Sequence, residues 1–404
     1  MSNKSGSELL IMTIAIFNFS MPTKILFGIG TISKIVDCCK ELGIEKPLLV
    51  TDQFLCGTES FKETLENLKD CKLDPKVWGK VIPDPTDLSI NEGAEAYLDR
   101  DCDGLIAFGG GSSMDSAKAL GILVYHGEND IKKFIGANAL PLEGIPPLIC
   151  IPTTAGTGSE VTKVSVITDT SIKRKTPILD PILYPKIAIV DPNITITMPP
   201  QLTAATGMDA LSHAIECYTS TLRRNPISDA LALYAIKLVS ENLRGAVFNG
   251  EDVTTRTNMS LASLMAGIAF DNAGVHLGHA IGHMLGAKYH ISHGVGCALL
   301  LPEIIEIILP TRIERLVKIA SSFGIKTLSI SKREAAERTI NEVTQLMNDI
   351  GLPSLAEVTN TSPEDADLLA DLLLQENRLI SLSPRPITKK DCVQMFKKAF
   401  KRKN

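Results

Sequence analysis

"LIAFGGGSSMDSAKAL", residues 105–120, runs an apolar segment into three consecutive glycines and then into a helical pattern. The β-rich run at 105–108 suits a buried strand, and Ser112 or Ser113 stands where the following helix would be capped. Glycines let a backbone turn tightly and approach a ligand closely, while free N–H groups at a helix start attract phosphate. The loop is not GxGxxG, because Met114 stands where the third glycine would fall, and it is not a Walker loop. A glycine-rich strand-to-helix turn also serves as a plain structural device, so this stretch outlines a nucleotide site without proving one.

Outward from it, the same alternation recurs. "KPLLVTD" (46–52), "DGLIAFGGG" (103–111), "PPLICIPTT" (146–154) and "KIAIVDP" (186–192) predict buried strands, each stopped by Gly, Pro, Asp or Thr. "GTISKIVDCCKELGI" (30–44) and "MDSAKALGILVY" (114–125) carry helix-spaced apolar positions between them. Strand, helix and strand joined by crossovers predict a parallel sheet covered on both faces. "SVITDTSIKRKTPIL" (165–179) reads as an inserted hairpin, and "LLIMTIAIF" (9–17) as an extended first segment, since no cleavage site follows it. After "TMPPQLTA" (197–204) the pattern turns helical, including the amphipathic stretch at 366–380. The prediction is an α/β dinucleotide-binding domain over 1–198, Rossmann-like in its parallel sheet, and an all-α metal-binding domain over 199–404.

Length agrees with two units, since 404 residues exceed what one hydrophobic core usually sustains. A net charge of -5 gives no electrostatic reason to bind nucleic acid or an anionic membrane surface. No apolar run reaches the length of a membrane span. The nine cysteines are scattered without a CxxC pair, which suits reduced thiols in a cytoplasmic protein.

A second cluster of small and hydroxyl residues, "IPTTAGTGSEVT" (151–162), follows another predicted strand. Two such loops at strand C-terminal ends of one parallel sheet would face the same crevice, which favours a phosphorylated cofactor. Asp52 ends the strand "LLVTD", where a carboxylate can accept hydrogen bonds from a ribose and repel a 2'-phosphate.

Six of the seven histidines lie between residues 213 and 293. Asp209 and His213 are four apart in a helical stretch and share one face, as do His279 and His283, with His293 ten residues further on. One carboxylate with several imidazoles suits Fe(II), Zn or Ni and poorly suits Mg or Ca. Spacing alone does not choose among His276, His279, His283 and His290 for the remaining ligands. A nucleotide site beside such a metal site points to hydride transfer with the metal as Lewis acid, and the same parts could serve a lyase that uses NAD transiently.

"GGGSSMDSAK", "PTTAGTGSEVT", "LTAATGMDALSHAIE", "AFDNAG" and "HMLGAKYHISHG", in this order, resemble the iron-containing (group III) alcohol dehydrogenase family from about residue 18 to the C-terminus. The resemblance implies Fe(2+), with Zn(2+) as the substitute, held by Asp209, His213, His279 and His293. It gives His283 a non-ligand part in proton transfer or cofactor positioning, and leaves His290 outside the ligand set. It implies NAD contacts from Asp52, Asp84, Gly110, Gly111, Ser112, Asp115, Thr153, Thr154, Thr162 and Lys175, with Asp52 favouring NAD over NADP. Phe270 would line the pocket of a small alcohol or aldehyde, and Val164 stands where some diol-reducing members carry a polar residue. His276 occupies a usually small position, and "GVHLGH" is similar to the related hydroxyacid-oxoacid transhydrogenases; that residue could support the metal site, join it, or simply pack. Transhydrogenation is the alternative activity, with a dehydroquinate synthase-type lyase behind it. The family further implies a homodimer or larger homo-oligomer.

Overall fold

The computed structural model describes residues 16–402 except Ala137, Asn138, Lys173 and Leu222. The extended segment expected at 9–17 therefore falls almost wholly outside the described residues. Eight strands follow: β1 (Lys24–Phe27), β2 (Pro47–Val50), β3 (Lys76–Trp78), β4 (Gly104–Gly109), β5 (Leu148–Pro152), β6 (Val164–Asp169), β7 (Arg174–Leu179) and β8 (Ile187–Val190). Six of them form one sheet in the order β3-β2-β4-β5-β8-β1, and every pairing in it is parallel.

Strands of such a sheet are buried on both faces, which is why four of the predicted segments read as unbroken apolar runs. All residues of β2, β4, β5 and β8 are buried. Successive side chains divide between two cores. Leu48, Leu105 and Leu148 join one that includes Ile90, Leu120 and Leu123. Leu49, Ile106 and Ile149 join the other, with Ile35, Cys39, Phe61 and Leu68. The first core is covered by α3 (Asp87–Leu98) and α4 (Gly111–His126), the second by α1 (Ile35–Leu42) and α2 (Glu59–Asp70). Between β2 and β4 the strand order reverses, and the crevice outside their C-terminal ends is where such sheets bind ligands. The expected hairpin forms as antiparallel β6 and β7. Asp115 anchors it, accepting from Val166 N (2.9 Å) through its carboxylate and from Ser165 Oγ (2.8 Å) through its carbonyl.

From Pro200 onward the chain is helical: α5 (Pro200–Thr219), α6 (Pro226–Phe248), α7 (Val253–Ala273), α8 (Leu277–Tyr289), α9 (His293–Ala298), α10 (Leu301–Ser322), α11 (Lys332–Asp349), α12 (Leu355–Thr359), α13 (Ala366–Leu373), α14 (Asn377–Ile380) and α15 (Lys389–Lys401). The stretch expected to be one helix at 366–380 is two. Gln375 N and Glu376 N bond to carbonyls three residues back, Leu372 O at 3.2 Å and Leu373 O at 2.9 Å, and this tightened last turn ends α13.

The two parts meet where backbone touches backbone. Gly158, at φ +62° in the loop after β5, lies against Gly267 of α7, so closely that a Cβ on Gly267 would stand 2.8 Å from Gly158 Cα. Beside it Lys163 Nζ reaches Asp271 Oδ2 at 2.7 Å, Lys163 N reaches Asp271 Oδ1 at 3.0 Å, and Tyr184 OH donates to the same carboxylate. Glycine inside a helix is ordinarily worse than alanine. At 267 the order should reverse, because overpacking typically costs about 1–3 kcal/mol. Gly267→Ala is expected to lower the denaturant midpoint accordingly; an equal or higher midpoint would show that the junction is not tightly packed.

Candidate active site

α5 sets Asp209, His213 and Glu216 at i, i+4 and i+7, on one helix face. α8 carries His279 and His283 one turn apart, and α9 opens on His293 with Cys297 one turn later. One ligand atom each from Asp209, His279, His293 and Cys297 lies within 4.8 Å of the others. His213 stands beside this group, with Nδ1 3.9 Å from Asp209 Oδ1 and its ring centroid 4.4 Å from that of His279.

Three buried atoms here have no hydrogen-bond partner: Asp209 Oδ1, His213 Nδ1 and His279 Nε2. Leaving a buried polar group unsatisfied costs about 1–3 kcal/mol each, so three converging acceptors are the signature of a cation seat. The chemistry agrees: carboxylate and imidazoles form a borderline donor set that fits Fe(II) or Zn(II). Burial holds the His279 imidazole down to about 3, and burial with neighbouring His279 holds His213 well below its ordinary range. Both rings are thereby kept neutral, the form that offers a lone pair to a metal.

Glu216 fixes the orientation of this face. Fully buried, it accepts from His276 N at 2.6 Å, Gly278 N at 3.1 Å and His279 Nδ1 at 2.9 Å. With Nδ1–H so engaged, His279 must present its Nε2 lone pair to the centre, the carboxylate–histidine–metal pattern. His276 belongs to this support and not to the centre. Its ring is buried, with Nε2 2.9 Å from Thr219 Oγ1 and Nδ1 3.7 Å from Glu216 Oε2. His290 is exposed at the C-terminal cap of α8, at φ +55°.

A cavity of about 270 Å³ joins this centre to the glycine loop. Gly111 and Ser112 line one end, Asp209, His213, His279 and His293 the other, with Val164, Phe270 and His283 along the wall. Phe270 stacks on His213 at 4.1 Å and 11°. Burial, with lesser contributions from His279, Lys175 and Arg378, lowers His283 to about 3. The start of α4 has no side-chain cap, and its first two residues, Gly111 and Ser112, line the cavity. Thr154 packs on this loop, where a Cβ on Gly110 would stand 3.3 Å from Thr154 Oγ1, a buried hydroxyl with no partner. Thr153 N bonds to Gly109 O at 3.0 Å, which ties the two loops together as expected from their strands.

The remaining expected cofactor residues divide into two kinds. Asp84 and Lys175 pair at 2.6 Å on the cavity wall. Asp52 lies off the cavity beyond β2, with Oδ1 accepting from Leu55 N at 2.9 Å. Asp115 and Thr162 line the cavity but are tied into the scaffold. Asp115 Oδ1 accepts from Ser159 Oγ at 2.8 Å, and the buried Lys118 ammonium donates to the carbonyls of Ser159 (2.7 Å), Thr162 (2.9 Å) and Val164 (2.9 Å). Sequence reading missed Glu216, Cys297, Lys118 and the Lys163–Asp271–Tyr184 group. Helical spacing could have found the first two, at seven residues from Asp209 and four from His293. The others pair residues far apart in the chain and leave no local signal.

Comparison with known proteins gives the same reading of both halves. Residues 22–192 match the iron-containing alcohol dehydrogenase model, and residues 203–400 match the C-terminal model of the Fe-containing alcohol dehydrogenase family. The chain is 38% identical over 388 residues to an NAD-dependent methanol dehydrogenase of Bacillus methanolicus, covering 95% of this chain and 100% of that one. It is 37% identical to a 1,3-propanediol dehydrogenase of Citrobacter freundii, covering 96% and 100%. An alcohol dehydrogenase from Oenococcus oeni superposes with a TM-score of 0.90 at 40% identity, covering 95% of this chain and 100% of that one. With both segments matched and near-complete relatives of this identity, the chain is an enzyme of the iron-containing alcohol dehydrogenase family.

Proposed function

We propose that this enzyme is an NAD-dependent, iron-dependent alcohol dehydrogenase or aldehyde reductase acting on a small substrate. The observation that carries the reading is the single cavity that runs from the uncapped start of α4 to the unpartnered Asp209, His213 and His279 atoms. Asp209, His213, His279 and His293 would hold the metal, which supplies a Lewis acid for the substrate oxygen. NAD supplies the hydride acceptor. It would lie with its phosphates on Gly110, Gly111 and Ser112, and with Thr153, Thr154, Thr162, Asp115, Asp84 and Lys175 along its length. Asp52, at the end of β2, would meet the ribose and disfavour a 2'-phosphate.

The protein's own contribution is placement. Phe270 and Val164 make the wall beside the metal residues apolar and exclude water from a small aliphatic chain. His283, on the cavity wall, would serve proton transfer or cofactor positioning beside the metal residues. The two units proposed are 1–198 for the dinucleotide and 199–404 for the metal. Nine free thiols, five of them wholly inside the cores, suit a reducing compartment, and a cytoplasmic location is proposed. Among the described residues no helix is long and apolar enough to cross a membrane.

The deciding experiment is an anaerobic Fe(II)-loaded assay of small alcohols, diols and hydroxy acids, followed by NADH absorbance. Turnover with simple alcohols or aldehydes and free NAD(H) is expected; activity only with paired hydroxy and oxo acids would replace this reading with transhydrogenation. His279→Ala should remove metal retention and alcohol oxidation while leaving the circular dichroism spectrum unchanged. Glu216→Gln must point an amide NH2 at donors that now see carboxylate, and is expected to weaken metal binding about 10–100-fold in a chelator competition. His283→Gln should keep its metal and lose about 100-fold in kcat with an altered pH profile; loss of metal would instead make it a ligand. Asp52→Gly should relax discrimination against NADP, and an unchanged cofactor preference would remove Asp52 from that role.

A further inference from the structure

Cys297 is the one sulfur in the metal-binding group, and neither the family match nor the motif spacing assigns it a part. Its thiol is buried, with 1% of the residue exposed, and its ligand atom is within 4.8 Å of those of Asp209, His279 and His293. Sγ lies 3.5 Å from His293 Nε2 and within hydrogen-bonding reach of the Asp209 carboxylate. The helix behind it is shaped for this placement. A Cβ on Gly282 would stand 2.5 Å from Cys297 Sγ, so only glycine at 282 admits the sulfur. The second, independent observation is the pair of unpartnered buried atoms, Asp209 Oδ1 and His279 Nε2, that belong to the same group.

We propose that Cys297 is a further metal ligand, adding a thiolate to the carboxylate and imidazole donors of the dication. This rests on the metal site read above. Ligation would exchange the S–H bond for a bond from the sulfur to the cation, the displaced proton passing to a base outside the metal group, with no change of oxidation state. Soft sulfur ligands favour Zn over the hard cations that carboxylates alone would accept. A thiol that merely donates to Asp209 would make no such bond.

Co(II) is the probe, since it substitutes for Zn(II) and reports its ligands by absorption. Anaerobic full-length protein titrated with Co(II) is expected to show visible ligand-field bands together with a near-ultraviolet sulfur-to-cobalt charge-transfer band. Cys297→Ser should keep the visible bands, lose the near-ultraviolet band, and bind Zn(II) at least about 10-fold more weakly in chelator competition. Visible bands without the charge-transfer band in the unmodified protein would overturn the proposal while leaving the metal site standing. Charge transfer that persists in Cys297→Ser would also overturn it, by assigning the sulfur elsewhere. Failure to bind Co(II) at all would sink both this inference and the metal reading beneath it.

Discussion

Three buried polar atoms with nothing in the protein to bond, Asp209 Oδ1, His213 Nδ1 and His279 Nε2, constrain everything around them. They sit where α5 and α8 border the cavity, and burial raises the cost of leaving an acceptor unmet. Three such atoms converging on one point is what a bound cation would satisfy. The helices that supply these atoms are held so that none can turn away and satisfy itself locally: α5 is buried over most of its length, and His279 is pinned through Nδ1 by Glu216. Glu216 in turn is bound by the backbone N–H groups of His276 and Gly278, so the start of α8 and the metal-facing ring move as one body.

The second requirement is that the sheet deliver a cofactor to that centre, and this depends on how closely the two parts approach. Gly158 against Gly267 lets the loop after β5 rest on α7 without an intervening side chain. Lys163 and Tyr184 then fasten Asp271, the residue beside Phe270, from the sheet side. Lys118 works within the sheet domain in the same sense: one buried ammonium binds three carbonyls and ties α4, which begins at the glycine loop, to the hairpin that lines the cavity. Because the same helix carries both the glycine loop at its start and Lys118 farther along, glycine loop and cavity wall share one support.

What the sequence made legible follows from which interactions are local. Parallel strands buried on both faces print themselves as apolar runs, so 46–52, 103–111, 146–154 and 186–192 could be read directly, and the i, i+4 pairs Asp209/His213 and His279/His283 put their donors on helix faces. The sharing of one centre by α5, α8 and α9 was not legible from spacing, since crossing angles leave no trace in periodicity. The family motifs named the set, and the geometry brings Asp209, His279 and His293 together with His213 at 3.9 Å from Asp209. His276 shows the limit of local reading: three residues from His279, it could have faced the centre, but as the residue preceding α8 it has a non-helical backbone, and its ring turns to Thr219. Division of the 366–380 stretch was equally hidden, because the tightened turn at 374–376 uses neither Gly nor Pro.

Burial sets the protonation of the groups in this chamber. The desolvation that lowers His213, His279 and His293 also raises Asp209, so without a cation the chamber tends toward neutral rings and a protonated acid. A dication would favour the ionised form of the Asp209 carboxyl, while the His213, His279 and His293 rings are already in the form that offers a lone pair. A monovalent cation returns less electrostatic energy for the same desolvation, and a hard dication gains little from imidazole lone pairs. One carboxylate with several imidazoles is a borderline donor set, and Phe270 lays an apolar face on His213 at its edge.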